Sequence, residues 1–142
     1  MSLPAYAELH CRSNFTFLTG ASHPEELVMR AAELGYSGIA ISDECSVAGV
    51  VRAHVEAKAR KLHLIVGAEM RLTLPHSGAQ HARLVLLAQT RRGYGNLSHW
   101  ITLARRRAIK GAYLAHPGDI EGKEPTAPML AGLPDCLALW VP

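Results

Sequence analysis

The sequence predicts an α/β fold in which buried strands alternate with amphipathic helices. Apolar runs at residues 39–42, 62–66 and 84–88 have the length and composition of strands in a buried parallel sheet. Segments that carry apolar residues at helical spacing, 24–34, 47–61 and 94–108, lie between most of these runs. Repeated alternation of this kind is typical of a parallel β/α arrangement.

Length and composition indicate a single cytoplasmic domain. The 142 residues suffice to bury a core, and a hydrophobic share of 49% is ordinary for a globular protein. Three widely spaced cysteines, Cys11, Cys45 and Cys136, form no disulfide pattern and fit a reducing compartment. The first residues do not resemble a signal peptide, and no apolar run approaches membrane-spanning length. We therefore predict a cytoplasmic protein with no membrane partner.

The first predicted helix has clear start and stop signals. A strand at residues 6–9 precedes it, followed by a loop that contains two phenylalanines. Residues 22–25 fit a capping box, Pro24 lies in the first turn, and Gly35 ends the helix.

The second predicted helix follows the strand at residues 39–42. Ser46 is expected to cap its first turn, so that the helix runs from about Val47 to Lys61. Its apolar stripe is expected to consist of four valines, Val47, Val50, Val51 and Val55.

The second half of the chain contains the strongest strand signal, at residues 84–88. It follows a strand at 62–66 that extends to about Leu74 and a polar turn at 75–79. The helix at 94–108 comes next, with arginines in its last turn.

The last part of the chain is predicted to be a surface excursion followed by one more strand. Residues 116–134 are rich in Pro, Gly and charge, and residues 135–141 form an apolar run. Because a domain rarely ends on an uncovered apolar strand, we expect the chain to be the N-terminal part of a longer protein. If it is expressed alone, the open strands are expected to drive self-association.

Charged side chains follow the predicted strands and are expected to converge at one edge of the sheet. They are His10 and Arg12 after the first strand, Asp43 and Glu44 after the second, Glu69 after the third, and Arg83 beside the fourth. A histidine with several carboxylates has the ligand types of a zinc or manganese hydrolase site. The alternatives are that the acids cap helices and that the histidine is a satisfied core residue.

Five arginines form two further clusters that are candidates for nucleic-acid contact. They are Arg91, Arg92, Arg105, Arg106 and Arg107, in a chain with a formal charge of +3. The alternative is a solvated helix end, because cations at the end of a helix are stabilised by its dipole.

Several motifs together resemble the polymerase-and-histidinol-phosphatase (PHP) domain that begins bacterial C-family DNA polymerases. They occur in family order and cover nearly the whole chain, at residues 7–18, 20–27, 31–36, 40–51, 65–69, 84–88 and 93–97. The Asp-Glu-Cys-Ser run at 43–46 and the Ser-His-Pro-Glu-Glu-Leu run at 22–27 most resemble the error-prone branch of these polymerases.

The resemblance implies a distorted seven-stranded, TIM-like β/α barrel, of which residues 1–142 are the N-terminal portion and which this chain does not complete. It also implies a metal cluster at the strand ends, from which this sequence departs. Arg12 stands where the family has the second histidine of His-x-His, Asp43 is followed by Glu44 rather than by histidine, and Arg83 replaces a further histidine. The remaining candidate metal ligands, enough for a weak zinc or manganese site, are His10, Asp43 and Glu69.

These replacements lead to a physical hypothesis about the site. Two fixed cations, Arg12 and Arg83, are expected to neutralise the acidic side chains Asp43, Glu44 and Glu69. The site is then a salt-bridged structural network that repels an incoming metal ion, and the segment itself needs no cofactor.

The resemblance implies a non-catalytic scaffold in an error-prone, translesion DNA polymerase that acts in replication and repair. The nucleotidyltransferase centre with its Mg²⁺ ions is then expected in a palm domain outside these residues. Implied partners are DNA through the parent polymerase, the remaining polymerase domains, and other replication or translesion proteins. The alternatives are a metal-dependent phosphoesterase or 3′-5′ exonuclease, and a non-enzymatic module that binds a replication protein through the open barrel edge.

Overall fold

The strands of this computed structural model, which describes residues 4–142, form one curled sheet that resembles half of a barrel. The strands lie side by side in chain order: β1 Ala7–Cys11, β2 Gly38–Ile41, β3 His63–Thr73, β4 Gln80–Ala88 and β5 Cys136–Val141. The helices are α1 Pro24–Glu33, α2 Val50–Arg60, α3 Arg91–Arg106 and the single turn α4 Pro117–Ile120, followed by a 3-10 turn at Pro128–Leu130. The predicted α/β fold with an incomplete barrel is confirmed.

Only the first part of the sheet is parallel. β1 pairs with β2 and β2 with β3 in parallel, whereas β4 runs antiparallel to both β3 and β5. The prediction of parallel strands throughout was therefore wrong. Residues 74–79 connect β3 to β4, and a loop of that length closes a hairpin, because a parallel crossover needs about a dozen residues.

Helices α1 and α2 cover the outer face of β1 and β2. Their shared core consists of Val28, Ala31, Ile39, Ile41, Ala53 and Ala57. The capping box of α1 lies one residue later than predicted, since His23 is the N-cap and its backbone N–H donates to Glu26 at 2.7 Å. Gly35 follows the helix with a φ of +72°, as expected for a C-terminal glycine.

The start and the buried face of α2 differ from the prediction. The helix begins at Val50 rather than Val47, because residues 47–49 form a turn that brings Gly49 against α1. A Cβ at Gly49 would lie 2.7 Å from Cγ of Pro24, so only glycine fits there. The small residues Ala53 and Ala57 face the core, and Val51 and Val55 of the predicted stripe are 72% and 64% exposed.

Helix α3 packs on the outer face of β3 and β4 and carries the largest buried side chain, Trp100. The segment predicted as a surface excursion completes this core. It contributes Ala127, Leu130 and Leu133, and the Trp100 indole N–H donates to the buried Asp119 at 2.8 Å. The excursion prediction was wrong because the segment's apolar residues are irregularly spaced, so no periodicity reveals them.

No helix among residues 4–142 is both long enough and apolar enough to cross a membrane.

Candidate functional site

The curl of the sheet brings the ends of β1 and β2 beside the middle of β3. Glu44 and Glu69 pair through their backbones, where Cys45 N–H donates to the Glu69 carbonyl and Glu69 N–H to the Asp43 carbonyl. Residues that are far apart in the sequence therefore meet at one edge of the sheet. We call the side chains of His10, Arg12, Asp43, Glu44, Glu69 and Arg83 the strand-end site.

Glu69 is the centre of this site. Its side chain has no exposed surface, and it contacts three of the side chains singled out from the sequence. His10 Nε2 lies 2.6 Å from Oε2, Arg12 donates from Nε at 3.2 Å and from Nη2, and Arg83 Nε lies 3.9 Å from Oε1. A buried carboxylate is thus surrounded by cations and a histidine.

The surroundings of Glu69 determine its charge. Burial alone would raise the pKa of Glu69, but hydrogen bonds from Arg12 and His10 outweigh burial and hold the pKa below its ordinary value. The carboxylate is therefore ionised at neutral pH, and each of its oxygens already accepts a hydrogen bond.

Asp43 makes a separate set of contacts. Its buried carboxylate accepts hydrogen bonds from the Ser13 backbone N–H at 2.8 Å, the Ser13 hydroxyl at 2.6 Å and the Thr16 hydroxyl at 2.6 Å. These donors belong to the loop between β1 and α1. Asp43 thus anchors this loop, and none of the ion pairs found within residues 4–142 includes it.

Glu44 is paired with a cation that the sequence reasoning missed. Arg71 donates from Nη2 to Oε2 of Glu44 at 3.1 Å, and the Tyr113 hydroxyl donates to Oε1 at 2.8 Å. Burial, together with the negative charge of Glu44, raises the pKa of Tyr113. A signal for Arg71 was available, because residues two apart on a strand share a face and Arg71 follows Glu69 by two. Nothing in the sequence indicated Tyr113.

The side chains present do not fit the metal cluster that the PHP family implies. Both oxygens of Glu69 accept bonds from cationic or imidazole nitrogens, and those of Asp43 accept bonds from loop donors. Within residues 4–142, no three His, Cys, Asp or Glu side chains are grouped so that they could hold a metal ion. A metal at this site would first have to displace Arg12 from Glu69.

The five arginines singled out for nucleic-acid contact lie at the two ends of α3. Arg91 and Arg92 are exposed in its first turn, and Arg92 lies 3.9 Å from Asp135. The other three follow 14 to 16 residues later, so about 20 Å separates the two groups along the helix. They therefore do not form one continuous basic patch.

The three C-terminal arginines of α3 differ in their contacts. Arg105 donates to the Cys45 carbonyl from Nε at 3.2 Å and Nη2 at 3.0 Å, and its guanidinium lies 5.7 Å from the centre of the Tyr113 ring. Arg107 forms two 2.7 Å hydrogen bonds with Asp119 and a third with Glu124. Arg106 is exposed.

A cleft of about 470 Å³ opens beside the strand-end site, and we call it the Phe17 cleft. Its lining includes Phe15, Phe17, Glu44, Arg105, Gly111 and Tyr113. Its walls are formed by the loop that Asp43 anchors, by residues 44–48 after β2, and by the end of α3 with the loop that follows it.

Comparisons with known proteins agree with this architecture. The family model described as "PHP domain" matches residues 8–125. Error-prone DNA polymerases of Bordetella parapertussis and Dechloromonas aromatica are 59% identical over 140 residues and 58% identical over 142 residues. These matches cover 99% and 100% of this chain but 13% of each relative, so the chain spans a small part of their length.

Two solved structures share the fold. A Bifidobacterium adolescentis protein, named as a candidate metal-dependent phosphoesterase, has a TM-score of 0.57 at 24% identity over 72% of this chain and 34% of its own. An amidohydrolase from Chromobacterium violaceum, solved with bound sulfate and no metal, has a TM-score of 0.58 at 22% identity over the same shares. Because the family model covers most of the chain, the chain belongs to the PHP domain family.

Proposed function

We propose that this chain is the PHP portion of an error-prone, translesion DNA polymerase and acts there as a structural scaffold. The observation that carries the proposal is the ion-paired state of Glu69, whose buried carboxylate is bound by Arg12 and His10. Arginine remains charged at all physiological pH values and holds a carboxylate through two nitrogens, so it occupies the place a metal would need.

The polymerase assignment is supported by relatives that are 58–59% identical over essentially the whole chain. As part of such an enzyme the chain would be cytoplasmic and would meet DNA through the remaining polymerase domains. The nucleotidyl-transfer chemistry would lie outside residues 1–142. Within this chain, the exposed Arg91 and Arg92 are the better candidates for DNA contact, because Arg105 and Arg107 are bound to protein groups.

The open edge of the sheet supports association with further protein. Among residues 4–142, β5 pairs with β4 on one side only, and it exposes Leu137 at 50% and Trp140 at 65%. Unpaired strand edges with exposed apolar side chains join other strands or sheets. We expect the remaining polymerase domains to cover this edge, and isolated chains to pair with one another through it.

A chimera tests the scaffold proposal. This chain replaces the matching 140-residue segment of the Bordetella parapertussis polymerase, and primer extension and thermal stability are measured with and without Arg12→Met. A scaffold predicts that Arg12→Met lowers the melting temperature of the chimera but leaves primer extension unchanged at temperatures where it stays folded. Loss of extension or of 3′-5′ hydrolysis with unchanged stability would instead indicate a catalytic role for the site.

A further inference from the structure

Two large apolar side chains stand exposed at the tip of the loop between β1 and α1. Phe17 is 82% exposed, and the adjacent Leu18 is fully exposed. Leu18 also has a φ of +68°, a left-handed conformation that residues with bulky side chains rarely adopt. The fold thus holds an apolar side chain in solvent in an unfavourable backbone conformation.

A buried polar network makes this loop rigid. The carboxylate of Asp43 accepts three hydrogen bonds from Ser13 and Thr16, and the Thr16 hydroxyl in turn accepts one from the Glu44 backbone N–H at 3.1 Å. Farther along the loop, the Gly20 N–H donates to the Thr16 carbonyl at 2.9 Å. A contact surface that is already ordered loses little conformational entropy when a partner binds.

A second loop that lines the Phe17 cleft also carries an exposed apolar side chain. Ile109 is 83% exposed, and Gly111 and Tyr113 from the same loop line the cleft together with Phe17. Large exposed apolar side chains that cluster around a cleft are typical of interaction sites, whereas isolated ones are ordinary.

The charged side chains of the two loops are all positive. Residues 12–23 and 105–116 contain no Asp or Glu, and they contain five cations, Arg12, Arg105, Arg106, Arg107 and Lys110. Three of these cations bind protein groups, whereas Arg106 and Lys110 are exposed. The acid that lines the cleft, Glu44, is paired with Arg71. An occupant of complementary charge would be acidic.

The contacts favour a protein over a nucleic acid. Binding to a phosphate backbone draws its affinity from several neutralised phosphates, yet the two loops expose only two cations that bind no protein group, Arg106 and Lys110. Two of the three exposed apolar side chains, Leu18 and Ile109, are aliphatic and lack the aromatic face on which bases stack. We propose that the Phe17 cleft docks an acidic, amphipathic peptide segment of a partner protein. Its apolar side chains pack on Phe17, Leu18 and Ile109, and its carboxylates pair with Arg106 and Lys110.

A peptide selection tests this proposal on the 142-residue chain. Displayed random 16-residue peptides are selected on the chain and depleted on its Phe17→Ser/Leu18→Ser variant. The expected peptides combine Leu, Ile, Phe or Trp with Asp or Glu, and bind the double variant at least ten-fold more weakly. Lys110→Glu, on the opposite loop, is expected to weaken binding several-fold.

The matched control is Val51→Ser/Val55→Ser, which removes two comparably exposed apolar side chains from α2 and is expected to leave the affinity unchanged. Circular dichroism establishes that each variant is folded. The proposal is overturned if no peptide survives the depletion step, or if the α2 variant weakens binding as much as the loop variant. Salt-sensitive binding of the oligonucleotide dT20 that depends on Phe17, in the absence of selected peptides, would assign the cleft to nucleic acid instead.

Discussion

Arg12 and Glu69 lie 57 residues apart in the sequence and are joined by two hydrogen bonds, from Nε and Nη2 of the guanidinium to the two carboxylate oxygens. Glu69 is fully buried, whereas Arg12 keeps 21% of its side chain exposed. The pair therefore places a buried negative charge under a cation that still reaches solvent. Removing Arg12 leaves the buried carboxylate with only His10 and the more distant Arg83, and such a loss costs more than the net value of the intact pair.

Substitution of Arg12 is expected to be strongly destabilising. Arg12→Met leaves the buried Glu69 carboxylate without its main partner and should lower the free energy of unfolding by about 3 kcal/mol. Urea denaturation measures the change. Arg83→Met is the control, because Arg83 lies 3.9 Å from Glu69 and should contribute less than about 1 kcal/mol. Similar effects of the two variants would contradict the central position of Arg12.

Acid is expected to destabilise the chain through two buried carboxylates. Burial alone would raise the pKa of both Glu69 and Asp119. Hydrogen bonds from Arg12 and His10 outweigh burial at Glu69, so its pKa is lowered. Hydrogen bonds from Arg107 and Trp100 do the same at Asp119. The contribution of these two carboxylates to the free energy of unfolding is fully present above their unfolded-state pKa of about 4. It is lost as the pH falls through their lower folded-state pKa values.

Melting temperatures between pH 7 and pH 2.5 measure this acid dependence. The double variant Glu69→Gln/Asp119→Asn should start from a lower melting temperature and lose less of it on acidification. An acid dependence as steep as that of the unmodified chain would show that other groups govern it.

Asp43 is expected to control the order of the loop that bears Phe17 and Leu18. Asp43→Ala leaves the Ser13 N–H and the Ser13 and Thr16 hydroxyls without their acceptor, at a cost of about 1–3 kcal/mol for each group that stays buried. Hydrogen exchange at the Ser13 amide should accelerate markedly. Ser46→Ala serves as the control, since its hydroxyl accepts only the exposed Ala48 N–H. Unchanged exchange at Ser13 would exclude Asp43 as the anchor.

Neighbouring arginines at the end of α3 are expected to behave differently. Arg107→Ala leaves the 2% exposed Asp119 without its cation and should cost about 3 kcal/mol, whereas the exposed Arg106 should contribute within about 0.5 kcal/mol. Because the Trp100 indole bonds to Asp119, tryptophan fluorescence should shift for Arg107→Ala and stay unchanged for Arg106→Ala. Equal stability losses would contradict the assignment of Arg107 to the core.

The sequence predicted well those features that depend on residues close together in the chain. Apolar runs located the strands, and the positions of polar residues after them brought His10, Arg12, Glu69 and Arg83 together, as the structure places them. The ends of β1 and β2 share an edge because these strands are parallel, which residue order does predict. Glu69 and Arg83 lie within β3 and β4, and they reach this edge through the curl of the sheet and the antiparallel β3–β4 pairing.

The features that the sequence did not predict depend on tertiary packing. Tyr113 is brought to Glu44 by the loop after α3, which has no periodic signal. Arg71 lies on β3 two residues beyond Glu69, and it meets Glu44 only because β3 pairs with the segment that follows β2. The buried face of α2 was misplaced because close packing against α1 selects Ala53 and Ala57, although valine is the more hydrophobic residue. Close packing of helices favours small side chains, which hydrophobic periodicity undervalues.

The scaffold proposal requires that ion pairs, rather than metal ions, hold the strand-end site. Its most direct test is elemental analysis of the purified chain after incubation with zinc and manganese and removal of free ions. The ion-paired site predicts less than one ion retained per chain, with an increase in the Arg12→His/Arg83→His variant, which frees Glu69 and adds imidazole ligands. Retention of two or more ions by the unmodified chain would contradict the claim and would restore a metal-dependent phosphoesterase as the better assignment.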